Sequence, residues 1–134
     1  MTNQDIRWQQ RYQQFNNAFT LLQQGLAIQS PSIVERAGII QFFEMAFELS
    51  WKLLKDYQQA EGYTTHSPRE AIKQAFQAEL INDGHLWIQA LEDRNLTTHT
   101  YNEETAQKVE QKIRHEYYPL LVSLQQNFEN RINA

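Results

Sequence analysis

The sequence predicts an all-α protein: an antiparallel helical bundle of the four-helix-bundle type, with about five helices in one domain spanning residues 1–134. Three observations predict it. Large apolar residues recur at spacings of three and four over long stretches. Ser-x-x-Glu capping signals stand before two of those stretches. No alternating strand pattern and no internal repeat breaks the series.

The first stripe runs Trp8, Tyr12, Phe15, Phe19, Leu22 and Leu26, one face of a long helix. No polar groups converge between its aromatics, so they are read as packing. Pro31 ends the pattern, and Ser32 with Glu35 forms a capping box that starts a second long helix. Its apolar face includes Ile39, Ile40, Phe43, Phe47, Leu53, Leu54 and Tyr57, and Gly62 is the expected stop. Glu48 and Lys52 on the other face read as a solvated i,i+4 pair. Ser67-Pro68-Arg69-Glu70 is a second capping box with Pro at the first helical position. That helix should break at Asn82-Asp83-Gly84, after which Leu86, Trp87, Ala90 and Leu91 give a short helical face. Asn102 is the expected N-cap of a last long helix carrying Val109, Ile113, Tyr117, Leu121, Leu124 and Phe128, with a kink at Pro119.

Only four Gly and three Pro interrupt the chain, which fits ordered, element-rich structure rather than linker. With no cysteine, disulfides and thiolate metal sites are excluded. No apolar run is long enough to cross a bilayer and none forms a signal segment, so no membrane role and a cytoplasmic location are expected. A formal net charge of −4 disfavours a high-affinity nonspecific nucleic-acid binder, yet leaves room for a local catalytic cleft.

The candidate site is the stretch RNLTTHTY, Arg94 to Tyr101. As one continuous helix it would set Arg94 and His99 roughly 140° apart, and its three threonines are poor helix formers, so the segment reads as a connection between helices. Histidine exchanges protons near neutral pH, arginine offers a planar fork of donors to a phosphate, and asparagine and tyrosine orient substrates. Such a set suits phosphodiester cleavage in RNA, where the 2′-hydroxyl supplies the nucleophile and neither metal nor cofactor is required. Loop Arg, Asn and His residues also cap helix ends, and spacing alone leaves both readings open. His66, His85 and His115 are scattered without a metal-ligand spacing.

Arg94-Asn95-Leu96-Thr97-Thr98-His99-Thr100-Tyr101 matches the R-x4-H-x-Y pattern of the HEPN superfamily. Phe47-Glu48-Leu49-Ser50-Trp51-Lys52-Leu53-Leu54-Lys55-Asp56-Tyr57 together with Ser67-Pro68-Arg69-Glu70-Ala71 resembles its branch of nucleotidyltransferase substrate-binding proteins, which includes HepT-like ribonuclease toxins. The resemblance implies a helical bundle that homodimerises around a composite cleft, and a separately encoded minimal nucleotidyltransferase as antitoxin partner. It implies Arg94 and His99 as the catalytic pair acting on RNA, Asn95 as an auxiliary polar residue, and Tyr101 as the phenol that the partner adenylylates. The older description of the branch implies an alternative, a noncatalytic subunit that presents substrate to the nucleotidyltransferase.

Overall fold

A computed structural model describes residues 2–97 and 102–134, the side chains of 95–97 excepted. The described chain is helical and contains no strand. Helix α1 (Asn3–Leu26) is capped by Thr2, α2 (Ile33–Ala60) by Ser32 and α3 (Pro68–Gln77) by Ser67. They are followed by α4 (Gly84–Thr97) and by a last long helix. This last helix comprises α5 (Glu103–Lys112), a π-helical turn at Ile113–Tyr117 and α6 (Tyr118–Ile132).

Cross-helix contacts fix the directions. Arg11 near the start of α1 bonds Asp56 near the end of α2, at 2.9 Å, while Gly25 at the end of α1 abuts Ile39 at the start of α2. A Cβ on Gly25 would stand 2.9 Å from Ile39 Cγ1, so the close antiparallel crossing requires glycine there. Asn127 of α6 donates to the Leu80 carbonyl just ahead of α4, and Lys112 at the end of α5 reaches Asp93 in the last turns of α4. The last helix therefore runs antiparallel to α4 and parallel to α2, completing a four-helix bundle with α3 packed at its side.

One apolar cluster fills the interior. Phe15, Leu22, Phe43, Leu53, Leu54, Ile113 and Phe128 are fully buried, each worth roughly 1.5–3 kcal/mol relative to exposure. Phe128 anchors one end, edge-on to Tyr57 and Trp8 at 5.2 and 5.7 Å.

Several local expectations change on folding. The box expected at Ser67 is half formed: Ser67 accepts from the Glu70 N–H, but the Glu70 carboxylate accepts from the His66 N–H instead of that of Ser67. Helix α3 ends at Gln77, ahead of Asn82-Asp83-Gly84, because Glu79 takes a left-handed φ of 61°. That lets the Leu80 N–H reach the Ala75 carbonyl and the Glu79 N–H reach that of Phe76, which satisfies two end carbonyls. The same motif closes α2, with Gly62 at φ 97° and Tyr63 N–H on the Gln58 carbonyl. The bend expected at Pro119 takes the form of the π turn just before it, where the Tyr118 N–H bonds the Ile113 carbonyl five residues back. Pro119 has no N–H to give, and its ring crowds the carbonyl four residues earlier, so the widened turn relieves a clash.

Candidate active site

Arg94 does not lie in an interhelical connection. Helix α4 continues through Thr97 and carries both Arg94 and Asn95 in its last turn. Tertiary contacts outweigh the low helix propensity of threonine, a few tenths of a kcal/mol per residue. Trp87, Ala90 and Leu91 bury the inner face of α4, and the next turn is held by side chains from two neighbouring helices.

On one side the Arg94 guanidinium donates through Nη1 to a carboxylate oxygen of Glu48 on α2. Glu48 is therefore not simply the solvated partner of Lys52, whose Nζ is a loose 3.8 Å from its other oxygen. On the other side Asp93 accepts from the Tyr117 hydroxyl and, at 3.1 Å, from Lys112 Nζ. Gln89 Nε2 donates to the same Tyr117 hydroxyl at 3.2 Å. Burial pushes the Tyr117 phenol well above its ordinary range, and the Asp93 carboxylate raises it further, so the hydroxyl stays a donor at neutral pH.

The corner is partly open. The Arg94 and Asp93 side chains are each 22% exposed and that of Glu48 38%. His99 and Tyr101 lie outside the described residues, as does the Asn95 side chain. Asn102, next along the chain, caps α5 by accepting from the Glu104 and Thr105 N–H groups.

Glu48, Asp93, Tyr117 and Lys112 escaped the sequence reading as site residues. Glu48 is 46 residues from Arg94, and no local pattern pairs them. Tyr117 sits in an apolar stripe, where its phenol gave no separate signal. His66, His85 and His115 are exposed, and among the described residues no three His, Asp or Glu converge on a common metal position.

The described chain is thus an all-helical bundle whose α4 ends in an arginine held by α2. Residues 10–130 match the family model described as nucleotidyltransferase substrate binding protein like, and the chain belongs to that family, as a HepT-like member. It is 35% identical over a 91-residue alignment to the probable ribonuclease HepT of Haemophilus influenzae, 62% of each chain being covered. The chain thus spans 62% of that relative's length. Among solved structures, a protein of Thermus thermophilus superposes with a TM-score of 0.74 at 32% identity, over 90% of this chain and 99% of its own. HI0074 of Haemophilus influenzae, described as having the fold of a substrate binding domain of a nucleotidyltransferase, gives 0.76 at 28% identity over 88% and 98%.

Proposed function

We propose that the protein is a metal-independent RNA endonuclease, the toxin of a pair whose antitoxin is a minimal nucleotidyltransferase. The observation that carries this reading is Arg94. In a chain related to a probable ribonuclease, the first residue of the intact R-x4-H-x-Y motif stands at a partly exposed corner, its guanidinium carried on the last turn of α4.

In this mechanism His99 accepts the proton of an RNA 2′-hydroxyl. The 2′-oxygen attacks the adjacent phosphorus, and the 5′-oxygen leaves and takes up a proton. The products are a 2′,3′-cyclic phosphate and a 5′-hydroxyl. Arg94 balances the charge that builds on the phosphoryl oxygens, and Asn95 orients the strand. Two copies form the working unit, each lending its motif to a shared cleft. Supporting such pairing, the α2 stripe that carries Glu48 continues through Gln41 and Ala37 to Val34, all exposed, Val34 by 81%. The partner silences the site by adenylylation: the Tyr101 phenol oxygen attacks the α-phosphorus of ATP and pyrophosphate leaves. The added phosphate then repels an incoming RNA backbone.

The direct test is cleavage of RNA by purified, unmodified protein in EDTA. His99→Ala should abolish cutting while helicity and dimer mass persist. A wild type that cuts nothing, or a variant that cuts equally well, overturns the reading.

A second reading is supported by the likeness to HI0074 and by the family description: a noncatalytic subunit that presents substrate to a nucleotidyltransferase. Intact mass after co-expression with such a partner separates the two. Increments of adenylate lost in Tyr101→Phe favour the toxin, whereas transfer to a third molecule, unaffected by Tyr101→Phe, favours the subunit.

A further inference from the structure

The π turn and the two side chains it brings together have no part in the chemistry above, yet they meet one residue away from Arg94. Tyr117 closes the turn, its ring 2% exposed and stacked on Phe43 at 5.7 Å with 19° between the planes. Burying a phenol so deeply leaves its hydroxyl in need of partners. It finds two on α4, the Asp93 carboxylate and the Gln89 amide, one helical turn apart. We infer that Tyr117, through Asp93, is a positioning residue for Arg94: it locks the last turn of α4 so that the guanidinium is held where the scissile phosphate must sit.

The geometry of a helix turn supplies the reason. Successive side chains point about 100° apart, so Asp93 and Arg94 leave α4 in different directions. Asp93 goes to the last helix, where Tyr117 and Lys112 hold it; Arg94 goes to α2, where Glu48 meets it. Two anchors on adjacent residues, reaching different helices, fix both the rotation of α4 about its axis and its distance from α2. The buried Trp87, Ala90 and Leu91 seat the body of the helix, and the two anchors extend that hold to its last turn. A shift of about 1 Å in a group that stabilises a transition state can cost on the order of a hundredfold in rate. The Tyr117 hydroxyl makes a charge-assisted bond from a ring fixed by burial and stacking, whereas a lysine reaches its partner on a flexible stem. Lys112, 47% exposed at its side chain, adds charge but little rigidity.

The activity arm of the test rests on the nuclease reading; a second arm does not. Tyr117→Phe keeps the ring on Phe43 and removes only the hydroxyl. In the full-length protein we expect kcat for RNA cleavage to fall at least tenfold while KM stays within about twofold. We also expect the Arg94 Nε–H resonance of RNA-free protein, assigned by its loss in Arg94→Lys, to shift or broaden. Asp93→Asn keeps an acceptor for the phenol and should lie between wild type and Tyr117→Phe in both readouts, serving as the second variant if Tyr117→Phe folds poorly. A purely structural role would lower the melting temperature without moving either readout below it. If wild type cuts RNA and Tyr117→Phe cuts with unchanged kcat, the positioning role is overturned. An unchanged Arg94 resonance overturns it as well. If wild type does not cut RNA, the nuclease reading fails and the resonance alone decides the positioning role.

Discussion

Two corners of the bundle are built from the same materials, arginines and carboxylates bridging separate helices, and they differ in how completely they are closed. Where α1, α2 and α5 meet, both Glu110 oxygens are held at 2.6 Å by different guanidiniums, Arg36 Nε on one side and Arg114 Nε on the other. Arg114 also donates at 2.8 Å to the carbonyls of Leu26, at the end of α1, and Ile28 just past it, and Arg36 makes a further pair with Glu103. The Glu110 side chain is 4% exposed. At the other corner Glu48, Asp93 and Arg94 keep between a fifth and two fifths of their side-chain surface in water. The difference lies in the carboxylates: Glu110 has both oxygens engaged and almost no surface, although Arg36 and Arg114 keep 12% and 19% of theirs, whereas Glu48 and Asp93 stand partly in water beside Arg94.

Substitutions should therefore separate the corners by what they damage. Arg94→Ala should cost roughly a hundredfold or more in RNA cleavage by the proposed nuclease, and less stability than Glu110→Ala, because its pair with Glu48 is partly exposed. Comparable losses of rate and stability would erase the distinction. Glu110→Ala should do the reverse. Losing the buried carboxylate that joins Arg36 to Arg114 should lower the urea midpoint clearly, with cleavage per folded molecule unchanged.

Acid sharpens the contrast. Burial pushes the Glu110 carboxyl upward, but the hydrogen bonds and charges of Arg114 and Arg36 outweigh it and hold the group below its ordinary 4.5. A carboxyl whose value is lower in the folded state stabilises above the unfolded value, and that contribution fades as pH falls through the folded one. The stability gap between wild type and Glu110→Gln should thus be full at pH 6 and shrink steadily below about pH 4.5; a gap independent of pH would show that the clamp does not depend on the ionised carboxyl.

The smallest expected effect is a gain. Glu79 holds the left-handed position that Gly62 fills in the matching motif at the end of α2. Glu79→Gly should stabilise by about 1 kcal/mol, read from the urea midpoint, and leave cleavage untouched.

The helices were readable because their signals are local: a stripe every three or four residues, and a cap three residues ahead of its acceptor. Ser32, Gly62 and Asn102 mark the ends the structure uses. The end of α3 was misjudged because the left-handed residue there is a glutamate, which carries no turn signal. The end of α4 was misjudged because threonine propensity is weaker than the grip of Glu48 and Tyr117, partners 46 and 24 positions away from the residues they hold. The motif itself was visible as spacing. The carboxylates facing it were not, since nothing local says which helices will be neighbours.

The widened turn ahead of Pro119 also works as a phase shifter within a single rod. Upstream of it the inward positions serve the Glu110 clamp; downstream they serve the aromatic anchor at Phe128. Gaining one further residue between 112 and 118, where the π turn has already absorbed its extra residue, would rotate everything beyond by about 100° and unseat Phe128. The spacing of this segment should therefore tolerate changes of residue far better than changes of length.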